Sequence, residues 1–396
     1  MLPGNNWKKL GPAIVLLTLA VGCGGGTAPA PAPAAKSAPP AAAPPAATTA
    51  PAAPAPKPAA AAATAAAPAP AAAKPATQTK VTFAYPSDSL IYAGVLLAHK
   101  KGYFADEGID LEFVKTGAGN KVISALAGGS AQFGTTEYYD VYAAAEQRQG
   151  ILGFAALTIE SPQAVVVKKK VLEQKGITKA TPVDKKTEAL RGLKVAVTGA
   201  GAGTDVMVRY LAKRGKIDPE RELTIVPAGS TANIIAAFSQ SQVDAFCTVS
   251  PGVELGVSRG DGEVMIDTRA GEVPEVKGRV SFGLYATKEY IEKNPETVTR
   301  ITKALWRGLK LIAENRADAK EQMKSLLLGG DIDQQTYDQM WETNTHVFPK
   351  TPALGEKEIQ INQVIRNAAV ERQTNIPFAE AATNRYVDEA KKALGY

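Results

Sequence analysis

Residues 81–137, VTFAYPSDSLIYAGVLLAHKKGYFADEGIDLEFVKTGAGNKVISALAGGSAQFGTTE, determine the architecture that we expect for the whole chain. Short runs rich in β-branched and aromatic residues predict strands at 81–85, 109–114 and 131–135. Between them, apolar residues recur at helical spacing, and each such segment ends in glycine. Strands that alternate with helices predict an α/β fold, with a mainly parallel sheet flanked by helices.

A second unit of the same kind follows. Strands are predicted at 192–197, 223–226, 243–248 and 263–266, with helices between them. We expect the chain to cross to this second lobe within residues 171–190 and to return near 281–285. Residues 317–396 are predicted to form helices that pack on the first lobe. The prediction is a two-lobed domain at 79–396, with lobe 1 about 79–168 and 278–396 and lobe 2 about 169–277.

The first 22 residues are typical of a lipoprotein signal peptide. Two lysines precede an apolar stretch of about a dozen residues, which is too short to span a bilayer as a helix. The segment ends in Leu-Ala-Val-Gly before Cys23, which resembles a bacterial lipobox. We therefore expect Cys23 to be lipidated, although an ordinary secretory signal is the alternative.

Residues 23–78 are predicted to be a disordered tether. The segment 27–77 is almost entirely Ala and Pro and carries 14 of the 27 prolines of the chain. It has no apolar pattern from which a core could form, and the prolines oppose helix formation. Such a spacer would allow the folded domain to leave a membrane surface and return to it.

The net charge of +6 overstates the charge of the folded part. Five of the 45 basic residues lie in the leader and tether, which leaves 40 basic against 39 acidic residues. A nearly neutral domain lacks the positive surface of a nucleic-acid-binding protein, so we expect no nucleic-acid partner. We expect a monomer.

Polar and glycine residues at the carboxyl ends of the predicted strands are candidates for ligand binding, because open α/β sheets bind ligands there. Hydroxyls precede several predicted helices, and Thr204 is the predicted N-cap of the helix that follows the Gly-rich turn 198–205. Capping alone is the alternative for each. The candidate residues are Ser87, Asp88, Tyr92, Thr135, Thr136, Glu137, Gly201, Gly203, Thr204, Ser250 and Glu254, with Tyr138, Tyr139 and Tyr142 as further aromatic candidates.

The charge of the ligand stays open between two classes. Converging helix N-termini favour a small organic anion, such as a sulfonate or carboxylate. Asp88, Glu137, Glu160 and Asp205 would instead favour an amino or cationic heteroaromatic group. The anion is the weakly preferred expectation.

Catalytic chemistry finds little support in the sequence. The chain has two histidines, no Cys/His metal spacing and no nucleophile elbow, so we expect no catalytic residue, metal or cofactor. Cys247 lies alone in a strand-like run and is expected to be a small buried residue.

Two blocks of sequence carry a resemblance to a known family. AHKKGYFADEGIDL (residues 98–111) and ALAGGSAQFG (residues 125–134) resemble the nitrate/taurine/alkanesulfonate type (SsuA-like) of ABC-transporter solute-binding protein. That type includes relatives that bind thiamine pyrimidine precursors. The resemblance covers roughly residues 80–315.

The resemblance implies a type II periplasmic-binding-protein-like fold with a ligand cleft between the lobes. It further implies a lipid-anchored protein on the periplasmic or extracytoplasmic face of a bacterial membrane, which delivers a small molecule to an ABC permease and its ATPase. Three alternatives remain: a binder of a pyrimidine or thiamine precursor or another aromatic molecule, a tethered ligand sensor, and an enzyme on the same fold. Related enzymes of thiamine pyrimidine synthesis use iron, histidine and a cysteine-rich motif, and this chain lacks that motif.

Overall fold

The computed structural model describes residues 78–327 and 332–396. This part of the chain contains ten strands: β1 (Thr79–Tyr85), β2 (Ile109–Lys115), β3 (Phe133–Glu137), β4 (Ile151–Ile159), β5 (Gln163–Lys168), β6 (Lys194–Val197), β7 (Thr224–Pro227), β8 (Ala245–Val249), β9 (Gly262–Asp267) and β10 (Val280–Thr287). The predicted strand at 131–135 lies two residues later, as β3.

The helices of the described residues are α1 (Ala93–Lys100), α2 (Tyr103–Asp106), α3 (Gly119–Ala127), α4 (Tyr138–Glu146), α5 (Lys169–Lys175), α6 (Val183–Glu188), α7 (Gly203–Arg214), α8 (Thr231–Ser239), α9 (Gly252–Arg259), α10 (Lys288–Lys293), α11 (Pro295–Glu314), α12 (Arg316–Leu327), α13 (Gln334–Asn344), α14 (Glu356–Val370), α15 (Phe378–Ala381) and α16 (Arg385–Leu394). Short 3-10 turns lie at Leu90–Tyr92, Pro274–Val276 and Thr345–Val347.

The strands form two five-stranded sheets with the same plan. The first has the order β2-β1-β3-β10-β4 and the second β7-β6-β8-β5-β9. In each, three neighbouring strands pair in parallel, and the fourth strand in the order pairs antiparallel with both of its neighbours. Four of the five strands therefore run in one direction, which confirms the predicted α/β fold with mainly parallel strand direction.

The chain changes sheets earlier than the sequence predicts. β4 belongs to the first sheet and β5 to the second, so the first crossover is the short segment 160–162. The predicted crossover at 171–190, and the assignment of 163–168 to lobe 1, are corrected by the antiparallel pairing of β5 with β8 and β9. The return lies between β9 and β10, as predicted.

The helices at the C-terminal end do not all pack on the first sheet. α14 packs against α4 beside the first sheet and against α7 beside the second. Its residue Ile359 lies in the apolar core with Tyr142, whereas Ile365 and Ala369 lie in the core with Val206. The helix therefore bridges the two lobes. This corrects the expectation that residues 317–396 pack on the first lobe alone.

The predicted leader, tether and lipidation site lie outside the described residues. Within the described residues, no helix combines the length and the apolar character that a membrane span requires.

Candidate functional site

A cleft lies between the two sheets, at the carboxyl ends of their parallel strands. Its cavity volume is about 40 Å³, so the cleft is narrow in this conformation, and it is partly open to solvent. Both lobes line it. The first contributes Pro86, Ser87, Tyr92, Gly119, Thr136, Glu137, Asp140 and Phe282, and the second contributes Thr198, Ala202, Gly203, Thr204, Thr231, Thr248 and Val249.

Glu137 ends β3 and is held by Gln163, the first residue after the first crossover, and by Arg279, the last residue before β10. Gln163 Nε2 donates to its Oε1 at 2.6 Å, and Arg279 Nη2 donates to its Oε2 at 3.0 Å. The Glu137 and Arg279 side chains are almost completely buried. Burial raises the pKa of Glu137 above its ordinary value, although Arg279 and Gln163 oppose the shift. Both carboxylate oxygens thus have partners in the protein.

Asp140 lies one helical turn further along, in the first turn of α4. Its Oδ2 accepts a hydrogen bond from the Thr136 hydroxyl. Its Oδ1 is buried and has no hydrogen-bond partner. Burial raises the pKa of Asp140 to about 7, with a further rise from Glu137, while Thr136 and Arg366 lower it. Asp140 Oδ1 is therefore a buried acceptor that has no partner among the described residues.

Two glycines allow the carboxylates to approach helix N-termini. A Cβ on Gly119, at the start of α3, would lie 2.2 Å from Asp140 Oδ2 and from Thr136 Oγ1. A Cβ on Gly203, at the start of α7, would lie 2.6 Å from Glu137 Oε1. Any larger residue at either position would displace a carboxylate from the helix end. The second contact joins the two lobes.

The Gly-rich turn before α7 differs in detail from its prediction. The N-cap of α7 is Ala202, so Thr204 lies in the first helical turn and is not the cap. The Thr204 hydroxyl accepts a hydrogen bond from Thr198 N at 3.0 Å and lies 2.8 Å from the Thr198 hydroxyl. Gly201 has a left-handed backbone, with φ of 74°, which lets the chain turn between β6 and α7.

The lobes touch directly around the cleft. Ser89 Oγ donates to Ser250 O at 2.5 Å, and Asn120 Nδ2 donates to Ala200 O at 3.1 Å. A Cβ on Gly117 would lie 2.7 Å from Gly229 O. These contacts describe a conformation in which the cleft is closed.

Six of the eleven sequence-predicted site residues line the cleft: Ser87, Tyr92, Thr136, Glu137, Gly203 and Thr204. Thr135 is fully buried outside the lining. Asp88 pairs with Lys115 and accepts a hydrogen bond from Tyr85 OH. Gly201 borders a neighbouring cavity, which Asp140 also lines.

Ser250 and Glu254 belong to a separate polar cluster. Arg269 Nη1 donates to Ser250 Oγ at 3.1 Å and to Glu254 Oε1 at 2.8 Å. Asn344 Nδ2 donates to Ser250 Oγ as well. Both side chains are therefore engaged beside α13, away from the cleft lining. Three other aromatic candidates are fully buried and absent from that lining, namely Tyr138, Tyr139 and Tyr142.

Several lining residues were missed by sequence reasoning, namely Gly119, Asp140, Thr198, Thr231, Thr248 and Phe282. Asp140 had a usable signal, because it lies in the first turn of the helix that follows the strand end at Thr136 and Glu137. Phe282 had none, since it reaches the cleft only through the return of β10 to the first sheet.

The histidines lie away from the cleft lining. The ring of His99 packs edge-on against Phe113, and desolvation lowers its pKa. His346 Nε2 lies 3.1 Å from Arg269 O. Cys247 is fully buried, and burial raises the pKa of its thiol, so the thiolate needed for reaction is disfavoured. Among the described residues, no group of three or more His, Cys, Asp or Glu side chains could hold a metal ion.

The model of a family described as "NMT1/THI5 like" matches residues 91–319. The chain belongs to this family. A Bacillus subtilis protein described as "Putative binding protein YtlA" is 23% identical over 322 residues, which cover 79% of this chain and 90% of YtlA. The family match and this relative confirm the resemblance that the two sequence blocks carry.

Solved structures share the fold. The alkanesulfonate-binding protein SsuA from Xanthomonas axonopodis, bound to MOPS, has a TM-score of 0.60 at 17% identity and covers 79% of this chain and 99% of its own. The desulfurization enzyme DSZB has a TM-score of 0.56 at 12% identity, over 79% of this chain and 99% of its own. The fold is thus shared by an alkanesulfonate-binding protein and by an enzyme.

Proposed function

We propose that this protein is the solute-binding component of an ABC importer. It captures a small molecule in the cleft between its two lobes and delivers it to a permease and its ATPase. The cleft lined by both lobes is the observation that supports this role most directly, because a ligand that touches both lobes stabilises the closed form. YtlA and SsuA, which are named as binding proteins, agree with it.

The cellular location of the protein is part of the same proposal. Residues 1–22 direct export, Cys23 is lipidated and becomes the mature N-terminus, and residues 23–78 form a tether on the extracytoplasmic side of a bacterial membrane. We propose binding without turnover, by a monomer, and with no metal or cofactor. The mass of the N-terminal peptide of the mature protein tests lipidation, and Cys23→Ser is expected to release the protein from membranes.

The solute-binding role is tested by native mass spectrometry of the full chain purified without refolding. We expect one small molecule per chain, released unchanged on denaturation. Gly203→Ala should reduce occupancy and affinity, because its Cβ would displace Glu137 and hold the lobes apart. Gly199→Ala is the graded control, since its Cβ would approach Ala118 Cβ only to 3.3 Å and should have a smaller effect.

Two results would contradict the proposal. A chain that carries no solute and binds none would remove the binding role. Chemical conversion of the solute by the purified protein would instead indicate an enzyme.

A further inference from the structure

The charge of the cleft selects between the two ligand classes that the sequence leaves open. None of the described residues that line the cleft is Lys, Arg or His. Its charged lining residues are Glu137 and Asp140. Arg279 lies behind Glu137, where its Nη1 donates to Asn362 Oδ1 at 2.7 Å and its Nη2 to Glu137. An anionic ligand would thus meet two carboxylates and no lining cation.

Two of the helix N-termini at the cleft, those of α3 and α7, do not favour an anionic ligand, because the protein supplies its own carboxylates there. The Asp140 carboxylate lies against the start of α3, and the Glu137 carboxylate lies against the start of α7. Each helix dipole therefore faces a carboxylate from the chain itself. The site does not need a ligand oxyanion to satisfy these two helix ends.

Asp140 offers the acceptor that a ligand can use. Asp140 is only 2% exposed, and its Oδ1 has no hydrogen-bond partner, although buried carboxylate oxygens normally accept hydrogen bonds. The Glu137 oxygens are already occupied by Gln163 and Arg279. Tyr92 and Phe282, which pack edge-on at 5.8 Å, form an apolar wall of the same cleft.

We propose that the ligand carries a cationic or N–H-donating nitrogen group, such as an amine or amidine, which binds Asp140 Oδ1. The inference rests on the proposed solute-binding function. It assigns to Asp140 the role of specificity-determining residue, which distinguishes this cleft from one built for an oxyanion. Glu137 acts as a positioning residue, which Gln163 and Arg279 hold at the end of β3.

Matched aromatic probes test the charge preference on the full chain, stripped of solute. Benzamidine, benzoate and benzenesulfonate share one ring and differ in the charged group. We expect isothermal titration to show binding of benzamidine and none of the two anions. Any solute found to copurify with the protein is expected to contain a basic or N–H-donating nitrogen.

Asp140→Asn tests the residue. The affinity for benzamidine, or for the copurified solute, should fall by about tenfold or more, because a charge-assisted hydrogen bond is lost. Asp110→Asn removes an exposed carboxylate of the same lobe and should leave binding unchanged. Wild-type affinity should also rise between pH 6 and pH 8, as Asp140 ionises among its neighbours Thr136, Glu137 and Arg366.

The outcomes separate the inference from the function on which it rests. A preference for benzoate, benzenesulfonate or a copurified anion, or unchanged affinity in Asp140→Asn, would overturn the inference and leave the solute-binding role intact. Absence of binding by every probe, together with absence of a copurified solute, would overturn both.

Discussion

Glu137 and Arg279 form a buried ion pair on which the floor of the cleft depends. Replacing Arg279 with Met leaves the Glu137 carboxylate buried without its counter-charge. Loss of one partner from a buried pair costs roughly 3–5 kcal/mol. We expect Arg279→Met to lose free energy of unfolding on this scale in urea titrations followed by circular dichroism.

An exposed ion pair provides the control. Lys293 and Glu289 pair on the surface of α10, with both side chains more than two-thirds exposed. Lys293→Met should leave the unfolding free energy unchanged within error, because exposed pairs contribute little. Equal losses in the two variants would show that the buried pair has no special role.

The pH dependence of stability reports on Asp140. Burial raises its pKa to about 7 in the folded protein from the ordinary value of 3.8, so between these values the folded state holds a proton that the unfolded state releases. The contribution of Asp140 to the free energy of unfolding therefore falls as pH rises from about 4 to about 7, by on the order of a few kcal/mol, and then levels off. The variant Asp140→Asn has no titratable group at this position.

Urea unfolding of wild type and Asp140→Asn at pH 5, 6, 7 and 8 measures the difference. The wild type should lose stability relative to the variant up to about pH 7 and run parallel to it above pH 8. Asp110→Asn, which changes an exposed carboxylate, should run parallel to the wild type throughout. Parallel curves for Asp140→Asn would contradict the raised pKa.

Residue types at strand ends could be predicted from the sequence, but their partners could not. Thr136 and Glu137 were identified because the carboxyl end of a strand in an open α/β sheet faces the cleft. Ser250 was identified by the same rule, yet Arg269 engages its hydroxyl. That contact joins residues 19 positions apart through tertiary packing, which no local pattern encodes.

At the scale of elements, α14 joins the two lobes. Ile365 is 1% exposed in the core of the second lobe, whereas its neighbour Val364 is 67% exposed. Ile365→Ala should cost roughly 2–5 kcal/mol of unfolding free energy, because it leaves a cavity. Val364→Ala on the same helix should change stability little.

Thermal unfolding by calorimetry measures both variants. Because α14 packs beside both sheets, we expect Ile365→Ala to lower the melting temperature of one cooperative transition. A second transition in that variant would show that the lobes unfold independently and that α14 does not couple them.

The elements themselves were largely predictable, but the sheet to which each belongs was less so. The sequence correctly predicted that β10 belongs to the first sheet. Strand β5 was assigned to the wrong sheet because its apolar run, 164–167, is equally compatible with a buried strand in either sheet. The bridging position of α14 was missed for a related reason. An amphipathic pattern shows that a helix has a buried face and does not show which surface covers it.

For the whole molecule, the proposed function requires the lobes to open and close over the solute. The described conformation is closed, and a Cβ on Gly199 of the second lobe would lie 3.3 Å from Ala118 Cβ of the first. Disulfides join Cβ atoms about 3.5–4.5 Å apart, so a small adjustment would allow a bond at this place. The double variant Ala118→Cys/Gly199→Cys should therefore form a cross-link that locks the closed form.

The cross-link is made in a chain that also carries Cys23→Ser, so that the fully buried Cys247 is the remaining native thiol. We expect solute to speed oxidation, because it stabilises the closed form, and we expect the oxidised protein to release bound solute more slowly than the reduced protein. Dithiothreitol should restore the release rate, and Ala118→Cys alone should respond to neither treatment. Equal release rates before and after oxidation would mean that solute leaves without separation of the lobes, which a site enclosed by both lobes does not allow.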